Sequence, residues 1–521
     1  MTCRLCTYLL CSLLVISTTP TALTAQAHKV ITLHAAGAEA RTTAAFNAAR
    51  KTGPLALRAF FYRMPKGADL HNHLSGAIYA ESWIRLAIQD HLCINLQTLS
   101  FTKPDHVTCK AGEVPASEAI KDQRLYDHLI DAFSMRTFIP TTADSGHDHF
   151  FATFARFEAA SKSNTGELVN EVAVRAAAQN EQYLELMDTP DFSQAAALAK
   201  KIGFNPNFAQ YRQQLLDAGF RKLVPAAQAH FDQAERDRQQ IEHCGRSNAD
   251  PACKVKVRFL YQVLRDMPPP AVFAQILLGF EAASTDPRIV GINLVQPEDS
   301  YYSMRDYRLH MQMIGALRQF YPNVHVTLHA GELAFGMVPP AGLSFHIRDA
   351  VEVAHAERIG HGVDIMYEDH PYQLLREMAR RHVMVEICLT SNALILNARG
   401  SNHPFMIYRK YGVPVALATD DAGVSRIDLT HEYVRAAETY PLTYLDFKMM
   451  VRTSLEHAFL PGASLWQRTT PETLDKPVAV CVGQLGRKTP TGACARFIAR
   501  SQKAQEEWKL ERRFDLFEAT F

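Results

Sequence analysis

The chain has 521 residues, enough for roughly two to four ordinary domains or for one elaborated barrel. Hydrophobic residues make up 47% and charged residues 21%, which is typical of a globular protein and excludes a disordered, collagen-like or coiled-coil chain. The 55 basic residues nearly balance the 54 acidic ones, so we expect no nucleic-acid partner.

Residues 1–27 have the pattern of an export signal. Arg4 precedes an apolar run over 8–16, and the segment ends in Ala25-Gln26-Ala27, a small-residue cleavage pattern. The apolar run is shorter than the ~20 residues that a membrane span needs. We therefore predict export to the periplasm or the medium with cleavage near Ala27, and no membrane association of the mature protein; an uncleaved anchor is the alternative.

The cysteines also favour an oxidising compartment. Of the ten, Cys3, Cys6 and Cys11 precede the predicted cleavage site, and Cys388 lies in an apolar run where it would act as a small buried hydrophobe. The other six form three locally spaced pairs in polar, turn-rich stretches, as in secreted proteins with short disulfides. By proximity, the predicted pairs are Cys93 with Cys109, Cys244 with Cys253, and Cys481 with Cys494.

Eight short apolar runs alternate with helical patterns along the chain. Strands that alternate with helices predict a parallel sheet, and eight repeats predict a closed (β/α)₈ TIM barrel, an α/β fold. The predicted strands are 68–74, 182–187, 255–262, 289–295, 324–330, 358–363, 383–389 and 413–419.

We assign the barrel to residues 63–460 and interpret the remaining segments as additions to it. Residues 28–62 form a predicted helical lead-in, and residues 461–521 a helical and loop appendage. Two insertions are predicted, near 90–116 and 200–254, the second mostly helical. They could form a homodimer interface or cover the barrel, and the sequence leaves both open.

Polar side chains gather at the predicted C-terminal ends of strands, where TIM-barrel enzymes carry their active sites. His71 and His73 are two residues apart on the first strand, so they project from the same face. Later strands end in His329 with Glu332 three residues on, in His361, and in the pair Asp420 and Asp421. Three imidazoles and one carboxylate suit a divalent ion with an open position for water.

Each of these motifs alone is more often incidental than functional, but one barrel would bring them together. A second His-x-His, His147 and His149, precedes a predicted helix and does not end a strand, so we interpret both as loop residues. We likewise assign Glu298 and Asp299 to a solvated loop in preference to a substrate contact.

Four motifs resemble those of the adenosine deaminase family of metal-dependent amidohydrolase barrels, in the family's order over roughly residues 60–460. The lead-in ending in Met64-Pro65-Lys66, the export signal and the cysteine-bearing insertions resemble its secreted, growth-factor-type branch. The motifs are Met64–Ala77, His329–Glu332, Arg358–Gly362 and Ala418–Asp421.

The resemblance implies a role for each polar residue. Glu332 would pass a proton to N1 of a purine while water attacks C6, His361 would orient and deprotonate that water, and Asp421 would hydrogen-bond N7. Two-metal relatives commonly carry a modified lysine at the end of strand four, and its absence here favours a single metal. The implied ligands of one Zn²⁺ are His71, His73, His329 and Asp420.

The resemblance further implies zinc-dependent deamination of adenosine or deoxyadenosine, a small-molecule purine nucleoside, to the inosine counterpart and ammonia. Ser75 stands where nucleoside deaminases typically have an aspartate that holds the ribose, and where adenine-acting relatives usually have glutamate. Gln296 stands where the family often has a glycine whose N–H meets purine N3, so its side chain is expected to crowd or re-aim the pocket. The alternatives are a deaminase of adenine or AMP, and a noncatalytic nucleoside-binding or signalling protein on the same scaffold.

Overall fold

The computed structural model describes residues 37–106, 108–161, 164–467 and 474–521. The predicted export signal and the first part of the lead-in lie outside the described residues. Within the described part of the chain, no helix combines the length and the apolar character that crossing a membrane requires.

Eight parallel strands form a nearly closed barrel, which confirms the predicted (β/α)₈ fold. The barrel closes where the last strand meets the first: the amide of Asp420 donates to the carbonyl of His71 (2.9 Å), and the amide of His73 donates to the carbonyl of Asp420 (3.2 Å). In chain order the strands are β1 (Gly67–His73), β2 (Glu181–Asp188), β3 (Lys256–Leu264), β4 (Ile289–Val295), β5 (His325–Ala330), β6 (Arg358–His361), β7 (Met384–Ile387) and β8 (Val415–Leu417).

The strands are largely buried because helices cover the outer face of the barrel and side chains fill its interior. Every residue of β1 and of β4 is buried. The largest difference from the predicted strand boundaries is at β8, predicted over 413–419, which covers only Val415–Leu417. β7 ends at Ile387, because Leu389 already begins the helix Leu389–Ile395. Cys388, between them, is buried and unpaired, as predicted.

Helices connect the strands and continue beyond both ends of the barrel. The lead-in contributes 37–52 and Pro54–Arg63. The α-helices that follow in chain order are Ala80–Gln89, Gln123–Ala132, Gly146–Ser161, Thr165–Ala178, Ser193–Ile202, Phe208–Asp217, Val224–Ile241, Pro269–Ala283, Tyr301–Arg318, His346–Glu352, Pro371–Arg381, Leu389–Ile395, Phe405–Lys410, Ala422–Ser425, Leu429–Thr439, Tyr444–Glu456, Gly492–Ala499 and Gln502–Glu518.

The predicted insertions are compact and carry disulfides. The first contains a small antiparallel sheet of Cys93–Asn95, Ser100–Thr102 and Glu113–Pro115. The second is helical. The three predicted cysteine pairs are all confirmed as disulfides: Cys93–Cys109, Cys244–Cys253 and Cys481–Cys494.

The additions at the two chain ends pack against the end of the barrel where its strands begin. Lys66, just before β1, donates to the carbonyl of Phe61 in the helix Pro54–Arg63 and to that of Gln179, just before β2 (both 2.5 Å). Gln182, at the start of β2, donates to the carbonyl of Glu506 in the helix Gln502–Glu518 (2.9 Å). At the opposite end of the barrel, where the strands finish, loops surround the polar residues singled out in the sequence.

Candidate active site

The predicted ligands His71, His73, His329 and Asp420 converge at the C-terminal ends of β1, β5 and β8, and we call them the four-donor cluster. All four are buried. Nε2 of His329 lies 3.1 Å from Nε2 of His71 and from that of His73. Oδ1 of Asp420 lies 3.3 Å and 3.2 Å from the same two atoms of His71 and His73.

These spacings are those of a metal coordination shell. Ligand atoms about 2.0–2.1 Å from a tetrahedral ion are roughly 3.3 Å apart, so the four atoms of the cluster already surround a point at bonding distance. Burial alone would lower the pKa of His71, but the hydrogen bonds and charges of Asp420 and Glu386 raise it to about 10. The carboxylates therefore favour a positive charge at this point, and the cluster fits a divalent cation.

The tautomer of each imidazole in the cluster is fixed by a partner on its far side. Each Nδ1 faces a side-chain oxygen, which accepts the Nδ1 proton and leaves a lone pair on Nε2 directed at the centre of the cluster. The partners are Glu386 for His71 (2.6 Å), Gln262 for His73 (2.7 Å) and Asn293 for His329 (2.9 Å).

Glu386, buried on β7, belongs to a larger charged network. Its carboxylate also accepts the hydroxyl of Thr327 (3.0 Å) and pairs with Arg358 (2.6 Å), which in turn pairs with Glu185 (2.7 Å). Burial would raise the pKa of Glu386, but Arg358 and His71 hold it below its usual value. The residue is therefore a carboxylate that orients His71.

The backbone is strained where it presents two of the site residues. Asp420 and His361 have φ of +59° and +68°, a left-handed conformation that is costly outside glycine. Gly360, which directly precedes His361, leaves room for the imidazole of His71, because a Cβ there would lie 2.5 Å from its Cε1. The fold maintains these conformations where they aim side chains at the cluster.

Glu332 and His361 lie beside the cluster. Nε2 of His361 is 3.6 Å from Oε1 of Glu332 and 4.0 Å from Oδ2 of Asp420, and it is buried without a hydrogen-bond partner. Burial lowers the pKa of His361 to about 3, so the ring is neutral. Burial raises the pKa of Glu332 well above its usual value, and the carboxylate of Asp420 adds to this effect. Glu332 is therefore suited to donate a proton.

The prediction that Glu298 lies in a solvated loop is wrong. The side chain is buried and accepts hydrogen bonds from the amides of Gly331 (3.0 Å) and Glu332 (2.8 Å) and from the ring of His346. Burial would raise its pKa, but His346 and Arg265 help to lower it to about 2. Glu298 is thus an anion that fixes the loop carrying Glu332.

We call the predicted substrate-binding residues Asp421, Ser75 and Gln296 the substrate side of the site. Their side chains are fixed less firmly than those of the four-donor cluster. Asp421 follows Asp420 and is buried, with Oδ1 lacking a hydrogen-bond partner. Gly76 packs directly on that carboxyl, and a Cβ there would clash with it. Ser75 lies half-buried in the turn after β1.

The side chain of Gln296 does not take the orientation expected of it. Its Oε1 accepts the amide of Asp266 at 2.8 Å, so the side chain turns toward the end of β3. Its carbonyl accepts two hydrogen bonds from Arg265, at 3.0 Å and 2.9 Å, and its φ is +84°. The residue therefore keeps a glycine-like backbone while its side chain is anchored elsewhere.

The prediction that His147 and His149 are loop residues is wrong. Both lie in the first turn of the helix Gly146–Ser161. Nε2 of His147 is 3.0 Å from Oδ1 of Asp299, so this helix contacts the loop after β4. Their spacing resembled a ligand pair, but neither is part of the four-donor cluster.

The sequence analysis missed the residues that hold the site in place. A usable signal existed for some: Glu386 and Asn293 are polar residues inside otherwise apolar, buried strands, where an unpaired polar group is costly. Gln262 offered the same signal inside β3. For Asn392, which contacts His361, and His403, which contacts Asn392, no comparable signal exists, because their partners are set by the tertiary structure.

Comparison with known proteins points to one family. The sequence model of the adenosine deaminase family matches residues 138–466, a stretch that begins after His71 and His73. Adenosine deaminase of Clostridium perfringens (strain ATCC 13124) is 36% identical over 138 residues; the alignment covers 26% of this chain and only 37% of that relative's length. Adenosine deaminase of Clostridium botulinum (strain Okra) is 24% identical over 306 residues, which cover 57% of this chain and 83% of the relative.

Among solved structures, the N6-mAMP deaminase of Arabidopsis superposes with a TM-score of 0.51 and 19% sequence identity. The match covers 77% of this chain and 95% of that one. At this identity the likeness shows the shared fold.

Proposed function

This chain belongs to the adenosine deaminase family, and we propose that it hydrolyses a 6-aminopurine nucleoside, adenosine or deoxyadenosine, to inosine or deoxyinosine and ammonia. The observation that carries this proposal is the convergence of the four-donor cluster with a buried carboxyl group, Glu332, whose pKa is raised. A cation site beside a proton donor is what hydrolytic removal of an aromatic amino group needs.

Zn²⁺ would be held by His71, His73, His329 and Asp420, and when bound it would lower the pKa of a water molecule to about 7. The donor set of three imidazoles and one carboxylate, with the spacings described above, supports this ion.

The residues around the cluster would handle the purine and the protons. Glu332 would donate its proton to N1 as the hydroxyl of water adds to C6, and the other proton of that water would replace the one that Glu332 gave. The bond from C6 to the amino group would then break, and the amino group would take the proton of the new hydroxyl and leave as ammonia. His361 would orient the attacking water, because its Nε2 has no hydrogen-bond partner and lies 3.6 Å from Oε1 of Glu332. Asp421, with an unpartnered oxygen, would hydrogen-bond N7.

The nucleoside is favoured over its phosphate by the state of Arg265, a basic residue beside the site. Arg265 is fully buried, and its guanidinium donates to the carbonyls of Gln296 and His329. It is therefore not free to receive a phosphate. Ser75 could still accept or donate a hydrogen bond to a ribose hydroxyl, although without the charge of an aspartate.

We also propose that the protein is exported and acts on purines outside the cytoplasm. The pattern of residues 1–27 and the three disulfides support this location, since disulfides persist mainly in oxidising compartments. Detection of the mature N-terminus in the periplasm or the medium would test it, and recovery of the intact chain from the cytoplasm alone would contradict it.

The decisive experiment is ammonia release by the purified protein from adenosine, deoxyadenosine, adenine and AMP, with and without a chelator. Chelator-sensitive release from the nucleosides is the expected result, and a Glu332→Gln preparation controls for contaminating deaminases. Release from adenine or AMP alone would keep the chemistry and change the substrate. Release from none of them by a zinc-loaded protein would overturn the proposal.

A further inference from the structure

A chain of hydrogen bonds reaches His361 from the side opposite the four-donor cluster. Nδ1 of His361 lies 2.9 Å from Nδ2 of Asn392, and Oδ1 of Asn392 lies 3.0 Å from Nε2 of His403. Nδ1 of His403 lies 3.1 Å from the backbone amide of Phe405. His361, Asn392 and His403 are all buried, so water does not compete for these contacts.

The donor and the acceptor of every hydrogen bond in this chain can be assigned from its last member, the backbone amide of Phe405. A backbone amide can only donate, so Nδ1 of His403 accepts the proton of Phe405. Burial lowers the pKa of His403 to about 4, so the ring is neutral and its single proton is on Nε2. That proton goes to Oδ1 of Asn392, which turns the amide nitrogen of Asn392 toward His361.

His361 therefore accepts at Nδ1 and carries its proton on Nε2. This is the reverse of the other three histidines of the site. His71, His73 and His329 each face an oxygen at Nδ1 and present a lone pair at Nε2, whereas His361 faces an N–H donor at Nδ1 and presents Nε2–H.

The difference matters because His361 is close enough to act as a ligand. Its ring centroid lies 4.9 Å from that of His71 and 5.0 Å from that of His329. A nitrogen of His361 also belongs to a group of potential donor atoms, with His71, Cys388 and Asp420, all within 4.8 Å of one another. With a lone pair on Nε2, His361 would compete for the ion and for the position that a water molecule needs.

We propose that Asn392 and His403 are positioning residues that keep the proton of His361 on Nε2, so that His361 meets the attacking water as a hydrogen-bond donor and is kept from binding the metal. The inference rests on the proposed function in that it assumes a metal and a water molecule at the cluster. It also narrows the role of His361, because a ring with Nε2 already protonated orients the water and does not deprotonate it.

The tautomer can be read directly in the wild-type protein. NMR of ¹⁵N-histidine-labelled protein distinguishes protonated from unprotonated ring nitrogens, and a His361→Gln sample assigns the signals of this ring. We expect a protonated Nε2 and an unprotonated Nδ1 in both the metal-free and the zinc-loaded protein. A proton on Nδ1 would overturn the proposal whether or not any variant folds.

A substitution that reverses the last bond tests the consequence. Asn392→Asp places an oxygen opposite Nδ1 of His361, which draws the proton to Nδ1 and exposes a lone pair at Nε2. In the Co²⁺-substituted protein, the visible absorption spectrum should change as His361 enters the coordination shell. In the zinc enzyme kcat should fall about 10- to 100-fold, the usual effect of losing an orienting partner.

Asn293→Asp is the matched control. Asn293 is as fully buried as Asn392, and the substitution adds the same carboxyl group, but an oxygen already faces Nδ1 of His329. The cobalt spectrum of this variant should therefore resemble that of the wild type. An unchanged spectrum in Asn392→Asp, or an equal change in both variants, would overturn the proposal.

The NMR and cobalt-spectrum readouts need no substrate, so they separate this inference from the proposed function. Failure of the proposed function would be a protein that binds zinc with His361 protonated on Nε2 and releases no ammonia from any purine. Failure of the inference would be an active deaminase in which His361 carries its proton on Nδ1.

Discussion

The four-donor cluster and the substrate side of the same pocket differ in how far the folded chain fixes them. Each imidazole of the cluster has a side-chain hydrogen-bond partner at 2.6–2.9 Å. On the substrate side, Ser75 is half-buried, Asp421 keeps an oxygen without a partner, and the side chain of Gln296 is bound to Asp266. The difference indicates that the cation site is built in advance, whereas the substrate side is completed by the ligand itself.

The largest effect should follow from breaking the cluster. Asp420→Ala removes the carboxylate that contacts His71 and His73, so bound zinc should fall well below one equivalent and activity should be lost with it. Elemental analysis of the purified variant measures this. Asp299→Ala, which removes a nearby carboxylate that contacts His147, should keep its zinc. Full zinc occupancy in Asp420→Ala would contradict its assignment as a ligand.

The Glu332→Gln substitution tests the proposed proton donor, which lies between the four-donor cluster and the substrate side. Because the amide cannot give up a proton to the purine, kcat should fall by at least the ~10²–10⁴-fold typical of general acid catalysis. Zinc content should stay the same, since Glu332 is not among the four donors. Turnover near that of the wild type, at full metal content, would exclude the acid role.

The Ser75→Asp substitution tests the substrate side by adding a fixed charge there. A hydrogen bond from a ribose hydroxyl to a carboxylate is worth about 1.5–3 kcal/mol, so KM for adenosine should fall roughly tenfold or more. KM for adenine, which has no ribose, should not improve. Ser75→Asn is the uncharged control of the same shape, and an equal gain for both purines would argue against a ribose contact at this position.

Gln296→Gly should have the smallest effect. The substitution loses the hydrogen bond to Asp266, worth about 1 kcal/mol, and relieves a left-handed backbone that costs about as much. The free energy of unfolding should therefore change by less than about 1 kcal/mol in denaturant titration, and KM for adenosine should change little. A large fall in KM would show that the side chain enters the pocket during turnover.

The sequence was sufficient for the barrel and for the residues of the cluster. The eight strands follow from apolar runs that alternate with helical patterns, and the donors His71, His73, His329 and Asp420 are chemically distinctive residues at strand ends. Both signals are local, so they survive without knowledge of the tertiary structure.

The remaining features of the site depend on contacts between distant segments. Glu298 sits in a polar stretch that reads as a solvated loop, and it is buried by contacts with distant segments, the amides of Gly331 and Glu332 and the ring of His346, 48 residues later. The same holds for Asn392, whose amide is oriented by His403. His147 was misassigned because a helix can begin with two histidines as readily as a loop can contain them.

The seam of the barrel, where the last strand meets the first, links the four-donor cluster to the stability of the fold. Asp420 and His71 are hydrogen-bonded where the last strand meets the first, although they are 349 positions apart in the chain. An ion held by both residues would bind the closed barrel and not the opened one, so metal binding and folding would be linked equilibria. The apparent stability of the protein would then rise with the free metal concentration, and chelation would loosen the barrel first at this seam.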